Sequence, residues 1–548
     1  MFAPRFFPHA SRAAIGLLLL LVGAFVAVGC TVPGAGRLEG PPEDLPAVLD
    51  YVTADALTTT LLDADPAAKR WARFETALGA GDANLALAPH WERFLGAEAT
   101  PTAAAAWAGD VTGTARYTID RASTSADDAS LLWFAGVRSR AKLEDWLREH
   151  GWKRAKGDLG GELGAGFDVW IATEDVDGAE AGALGVSSKA LLGARNRPAL
   201  RELVAAADRY AFPDRKALAD YAVDAHAASP VAVLFRTDLL RTQVRRLVEE
   251  DPAMLELVRW TTVSKLLLAA RDGWFGLAPP IDASRDSVRI IGKVDWVADL
   301  APDLRLKPAD RALLAEFVPD ASIAVALHDP GQVLEDAING ITRGGNQFAT
   351  EGDVKDAGKR VDLLELLEDL DGDAAIAHDA RRGTYLATIR TDAGEIEARV
   401  REALDLAELP ARVDAVDGGV GILVNPNGGN IAPYSVTGSR DLTNPEGALA
   451  TAFAPAGKPP RPPIAWLWQG GTQCDGPTAG WVTYDGVERF TFSLDVAASP
   501  SSEESRAPCG RASAFDGLRR VVAGDRWQRL TRARPALEPE ATAPTPRR

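Results

Sequence analysis

Residues 317–330 read FVPDASIAVALHDP, and residues 51–66 read YVTADALTTTLLDADP. In the later stretch Ile323, Val325 and Leu327 alternate with alanines, the two-residue period of a strand. Asp329-Pro330 then closes it. An aspartate carboxylate accepts the free N–H groups of a helix's first turn, and proline fits the first helical position, where its missing N–H costs nothing. The phrase reads strand, cap, helix, and Asp65-Pro66 repeats it ahead of AAKRWARFETAL. Two uses of one phrase point to a building block. The competing reading makes Asp65 and Asp329 a shared acid pair and requires their carboxylates to converge.

Working outward, more text recurs in the same order. GTARYTID from Gly113 resembles GDAAIAHD from Gly372. Each precedes a second strand, SLLWFAGVR or TYLATIR, and then a helix. In the first copy Ser139 is placed to cap RAKLEDWLREHG, with Leu143, Trp146 and Leu147 on one face and Gly151 at the end. ALGVSSKALLGARNRPAL is matched with NIAPYSVTGSRDLTNPEGAL, and SPVAVLF with PPIAWLW. GWFGLAPPIDASRDSVRIIGKVDWV and GWVTYDGVERFTFSLDV both read as closing hairpins that begin Gly-Trp. Before its hairpin the first copy alone carries a helical block from Leu239 to Asp272.

Strands in adjacent pairs, rather than strict strand–helix alternation, predict an α+β class. The expected body is two tandem diverged copies of an antiparallel sheet with packed helices. Each starts strand-helix-strand-strand-helix-strand, compatible with a split βαβ arrangement. The expected boundaries are 47–300 for the first repeat, 301–310 for a linker and 311–530 for the second repeat. Residues 30–46 read as a Pro/Gly-rich tether and 531–548 as a disordered tail.

The first 29 residues are expected to lie outside the fold. MFAPRFFPHASR carries Arg5 and Arg12 and no acid, an apolar run to Gly29 follows, and Cys30 comes next. This order resembles a bacterial lipoprotein signal, with Ala27, Val28 and Gly29 before the cysteine. The resemblance implies cleavage before Cys30, acylation of its thiol and anchoring to a membrane of the bacterial envelope, with no Asp after the cysteine to hold it at the inner membrane. An uncleaved anchor is the alternative. The body's phrase VPxDA, strand, Asp-Pro, helix resembles a bacterial envelope family known as a domain of unknown function, which implies an exported location and supplies no catalytic residues.

Net charge is −17, and removing Arg5 and Arg12 takes it to −19. Such a chain is not expected to bind nucleic acid. With Cys30 acylated, Cys474 and Cys509 remain as a pair in Gly/Pro/Ser-rich text, and export predicts a disulfide between them.

Catalytic signatures were weighed in turn. No HExxH spacing and no GxSxG occur. His328 precedes Asp329 and His378 precedes Asp379, but neighbours on a strand point to opposite faces, so neither pair is a preformed dyad. Asp369, Asp371 and Asp373 alternate as in a calcium loop, yet Gly372 is misplaced and Ala380 stands where the final Glu belongs. A turn entering a strand is the better reading. DGGVGILVNPNGGN lacks phosphate-loop spacing and reads as a hairpin. Trp466 and Trp468 share a strand face, as core or as a platform for sugar or lipid. No cofactor and no metal site are expected. The expected role is a non-catalytic, membrane-anchored scaffold whose partners are envelope proteins, glycans or lipids. The alternatives are a carrier of lipid or another hydrophobic ligand, and a hydrolase with scattered acids.

Non-reducing peptide mapping of protein taken from the envelope should recover Cys474 linked to Cys509. A loop of this size stabilises by about 3–4 kcal/mol in the chain-entropy account. Free labelling of both thiols would exclude the bridge.

Overall fold

The computed structural model describes residues 45–68, 71–74, 87–117, 131–155, 166–174, 176–207, 216–236, 270–282, 285, 287–296, 307–316, 323–328, 372–379, 384–390, 397–398, 401, 411–416, 419–424, 445–470, 475–485 and 489–498. Cys30, Asp329, Asp369, Asp371, Cys474 and Cys509 lie outside these residues, as do the signal, most of the tether, the tail and most of the helical block after Leu239.

The chain opens with α1 (Leu45–Leu49), β1 (Thr58–Asp63), α2 (Leu87–Leu95), α3 (Pro101–Ala104), β2 (Ala108–Arg116) and β3 (Leu131–Val137). Then come α4 (Arg140–Glu149), β4 (Trp152–Arg154), β5 (Asp168–Ala172), β6 (Ala183–Val186), β7 (Ala190–Ala194), α5 (Arg197–Ala207) and α6 (Lys216–Ala228). β8 (Val231–Arg236), β9 (Ala270–Ala278) and β10 (Ser287–Trp296) close the first half. A 3-10 turn (Arg311–Glu316) leads into β11 (Ile323–His328), β12 (Asp373–Asp379), β13 (Thr384–Arg390), β14 (Ala411–Val416) and β15 (Gly419–Val424). α7 (Pro445–Phe453), a 3-10 turn (Ala454–Ala456), β16 (Ala465–Gln469), β17 (Asp475–Tyr484) and β18 (Arg489–Ala498) complete the described chain.

The fold is α+β, with most of its regular structure in one antiparallel sheet. The ladders join the strands in the order β4-β5-β6-β7-β3-β2-β1-β8-β9-β10-β18-β17-β16-β11-β12-β13-β15-β14. From the β10–β18 ladder outward, one direction runs through a hairpin partner, then β8, β1, β2, β3, β7 and β6. The other direction runs through a hairpin partner, then β16, β11, β12, β13, β15 and β14. Beyond β6 the first half adds β5 and β4.

Both sheet faces carry helices over the first half. On one face α1, α5 and α6 pack on Leu61, Leu234, Trp274 and Ile291. On the other, α2 and α4 pack on Leu62, Trp133, Val231 and Leu277. Leu61 and Leu62 are neighbours on β1, so strand alternation sends them to different cores. α2 presents Leu87, Trp91, Phe94 and Leu95 at helical spacing, all buried. Complete burial of each such side chain contributes roughly 1.5–3 kcal/mol. In α4, Leu143 and Leu147 are buried as expected, and Gly151 adopts φ 83° just beyond the helix end. Ser139 occupies the N-cap position, but its hydroxyl makes no cap bond.

Several sequence expectations need correction. The opening is not a split βαβ: β1, β2 and β3 lie side by side and antiparallel, because the helical segment after β1 returns the chain to the end it left. The place of Ala183–Ala194 in the strand order is matched by the 411–424 hairpin and not by the NIAPYSVTGSRDL text, which lies outside the described residues. The DGGVGILV text does supply one strand of that hairpin, β15. The helical block is shorter than expected, since Ala270–Asp272 already belong to β9.

At the middle of the β10–β18 ladder Gly292 stands opposite Phe492. A Cβ on Gly292 would lie 2.4 Å from the Trp274 carbonyl oxygen and 2.6 Å from the Phe492 ring. Backbone and ring there leave no room for a methyl. Gly292→Ala should therefore lower the unfolding midpoint by the equivalent of about 1–3 kcal/mol; a melt identical to wild type would show that the ladder does not close this tightly.

Candidate functional site

The most polar buried region lies on the central ladder. Its helix-covered face carries Ser287, Arg289, Lys293 and Asp295 from β10, and Arg489, Thr491, Ser493 and Asp495 from β18. Alternation along each strand and direct opposition across the ladder place all of them on the face of Trp274, which stands opposite Lys293. Ser287, Arg289, Lys293, Thr491, Ser493 and Asp495 are all buried.

The charges are crossed. Arg289 stands opposite Asp495, and Arg489 stands opposite Asp295. Arg489 Nε donates to Asp295 Oδ1 at 2.9 Å. Its guanidinium lies 5.5 Å from the ring centre of Tyr221 on α6. The hydrogen bond to Asp295 holds the Arg489 pKa above its ordinary value, and burial pushes the Tyr221 phenol up. In the other pair Asp495 accepts from the Ser287 hydroxyl at 2.7 Å, while Arg289 Nε donates to the Pro279 carbonyl at 3.1 Å. Burial raises the Asp495 carboxyl and lowers the Arg289 guanidinium, and each charge opposes the shift of the other. Lys293 Nζ pairs with Asp224 on α6. Three cations thus face three acids, and the strip is neutral. Charge paired in this way holds strands and a helix in register.

Sequence reading missed this strip because each strand, taken alone, shows only an Arg and an Asp in ordinary hairpin text. The available signal was their spacing, Arg289-x5-Asp295 and Arg489-x5-Asp495.

Two histidines have oriented partners elsewhere. His328 Nδ1 lies 3.0 Å from Asp373 Oδ1, across the β11–β12 ladder. The weighed neighbour was Asp329; the actual partner is the first residue of β12, the strand expected after the Gly372 turn. Asp373 Oδ1 also accepts the Asp310 N–H at 3.1 Å, and Asp310 pairs with Arg390 at 2.8 Å. His90 Nε2 lies 2.8 Å from Thr112 Oγ1, which donates to the Phe134 carbonyl. Thr112 therefore receives the His90 proton and its own hydroxyl hydrogen is spent, the reverse of a nucleophile handing a proton to a base. Burial first, then the Arg93 charge, lowers His90 to about 3, so its ring is neutral. Among the described residues, no group of three or more His, Cys, Asp or Glu side chains is placed to hold a metal ion.

Trp466 and Trp468 lie beneath α7. Phe453 meets the Trp466 ring edge-on at 5.2 Å, and Arg311 covers that ring at 5.0 Å. Both indoles join Leu449, Phe453 and Trp481 in one core. Their matched residues in the first copy were Val233 and Phe235, and this pairing is one residue out of phase. Trp466 stands opposite Trp481 and Leu234 stands opposite Trp274, all on the helix-covered face, whereas Phe235 packs on Phe275. A one-residue slip exchanges faces.

Asp65 accepts the Ala67 N–H at 3.0 Å, so it caps a turn at Pro66–Ala67, and residues 71–74 are helical.

No family model, curated protein or solved structure matches the chain.

The buried Arg289–Asp495 pair gives a sharp test. Asp495→Ala removes the charge that faces buried Arg289 and the acceptor of the Ser287 hydroxyl and should destabilise by about 1–3 kcal/mol, while Arg289→Met with Asp495→Leu should recover most of that loss. Chemical-denaturation midpoints of the three proteins decide it. A double variant as unstable as the single one would mean that the pair's charge is not what matters.

Proposed function

We propose that the chain is an exported lipoprotein, anchored through an acylated Cys30, whose body is a duplicated antiparallel sheet serving the bacterial envelope as a non-catalytic binding or organising scaffold. The observation that carries the location is the N-terminal order of Arg5 and Arg12, an apolar run, small residues and Cys30. Mature protein would then begin at Cys30 and reach α1 through a Pro/Gly-rich tether.

Three features support duplication. Strand order runs alike in both directions from the β10–β18 ladder. Trp274 and Trp481, each following a glycine in the penultimate strand of its half, lie on the same sheet face. Once the residues opposite these tryptophans, Lys293 and Ser493, are aligned, Arg289 falls on Arg489 and Asp295 on Asp495. The scaffold reading rests on how the buried charges are used: at the centre of the sheet Arg489 pairs with Asp295 and Asp495 accepts from Ser287 across the two halves, and Lys293 pairs with Asp224 on α6. Such a body offers surfaces and sheet edges to envelope proteins, glycans or lipids.

In a bacterial host, the wild-type chain should partition with membranes, and mass spectrometry should find an acylated cysteine at its N-terminus. Cys30→Ser should abolish the lipid adduct and processing before residue 30. A mature product starting elsewhere, or one retaining Met1, would defeat the lipoprotein reading.

A further inference from the structure

The β10–β18 ladder is palindromic in its charges. Arg289 and Asp295 lie three residues on either side of Gly292, and Arg489 and Asp495 lie three residues on either side of Phe492, its opposite number. An antiparallel, in-register ladder sets each arginine against an aspartate. A parallel ladder centred on the same two residues would set Arg289 against Arg489 and Asp295 against Asp495, like against like. The charges therefore select one geometry, and that geometry has an approximate two-fold axis through its centre. Isologous two-fold contacts are the commonest way in which two copies of a chain associate.

We propose that this ladder is an exchangeable interface whose alternative partner is a second copy of the chain: β18 of one molecule pairs with β10 of another, and reciprocally. The proposal rests on reading the body as two halves joined at this ladder. Exchange re-forms the same strand pairing, including Arg489 on Asp295 and Asp495 on Ser287. What must take a new course is the connection from Trp296 to Lys307, since Ala309 and Asp310 are already bonded to the second half. Its 10 intervening residues reach roughly 33–36 Å when extended, at about 3.3–3.6 Å per residue. When the strands part, water solvates the polar strip on one face, and Ile290, Phe492 and Leu494 on the opposite face are buried again by the exchanged strand. At low concentration the tethered arrangement wins, because joined halves see each other at roughly millimolar effective concentration. Crowding in a membrane plane, or folding of several copies together, shifts the balance toward exchange.

Charge inversion distinguishes the two arrangements in the full-length protein. One chain carries Arg489→Asp and faces two acids at that position; a second carries Asp295→Arg and faces two guanidinium groups. Neither can satisfy the pair alone. A reciprocally exchanged heterodimer satisfies it at both ladders, once in the native sense and once inverted. A third chain carrying both substitutions satisfies it internally. Chains with different affinity tags are co-expressed, purified through both tags in sequence and weighed as intact complexes. The expected result is a 1:1 dimer from the two single variants, at least about tenfold more abundant than mixed dimer from differently tagged wild-type chains. If the singly substituted chains fail to accumulate alone, their recovery on co-expression is the same result. Recovery of the doubly substituted chain without any mixed dimer overturns exchange and leaves the joined-halves reading standing. Failure of the doubly substituted chain to recover defeats both.

Discussion

One antiparallel ladder, β10 against β18, makes the two halves a single sheet. Its helix-covered face would be simplest if apolar, yet it carries Arg289, Lys293, Asp495, Thr491 and Ser493 in buried positions. Moving such charges out of water costs several kcal/mol per ion unless each finds a partner with good geometry. Across the ladder Asp295 serves Arg489 and Ser287 serves Asp495, Asp224 on α6 serves Lys293, and Arg289 donates to the Pro279 carbonyl while facing Asp495. A shift of β18 by one residue would carry its charged set to the opposite face, where Ile290, Phe492 and Leu494 pack. Register at the junction is therefore specified twice, by apolar contacts on one face and by charge on the other. The remaining strands inherit their places from that register, ladder by ladder.

The two cores of the first half follow from the same geometry. A strand in the middle of a covered sheet has no solvent face, so Leu61 and Leu62, or Ala232 and Val231, serve different helix layers. Aromatic side chains fill the wider gaps. Trp91 stacks nearly parallel to Phe94 and meets Trp107 at 76°, while Trp107 also approaches Trp146 on α4. Trp71 ties itself to the end of β1 by donating to the Asp63 carbonyl at 2.9 Å. The abundance of tryptophan is thus a packing feature wherever the chain is described. Trp466 and Trp468 follow the same pattern beneath Phe453.

Much of the architecture was legible because it is local. The alternation in Ile323–Leu327 marks β11, the Gly-Trp texts mark both closing hairpins, and Leu143 with Leu147 marks the buried side of α4. What could not be read is non-local. Nothing within β10 says that its outer neighbour is β18, and nothing within β11 says that His328 will meet Asp373. These meetings depend on register, which a single strand does not encode. The phase between two similar texts failed for the same reason: SPVAVLF and PPIAWLW look alike when their prolines are aligned, yet cross-strand neighbours place Leu234, not Phe235, on the face of Trp466. The Asp65 carboxylate accepts the Ala67 N–H at a turn, a local bond that the Asp-Pro text signals.

If Cys30 carries the anchor, lipid must supply the membrane affinity. Among the described residues no helix is long and apolar enough to cross a bilayer. The mature chain's charge of −19, after loss of Arg5 and Arg12 from a total of −17, repels an anionic surface within a Debye length of about 8 Å. A single acyl chain gives only marginal binding, whereas the diacylglycerol expected on a lipoprotein cysteine brings two chains, each worth about 0.8 kcal/mol per buried methylene. On the lipoprotein proposal, anchor and body would act oppositely, the lipid pulling inward and the acidic domain pushing away. Pro/Gly-rich text after Cys30 has the composition of a spacer. The sheet would then face the aqueous space beyond the headgroups, with copies confined to one plane. That confinement raises local concentration without adding a contact, the condition under which a two-fold, charge-matched ladder gains most from a neighbouring copy.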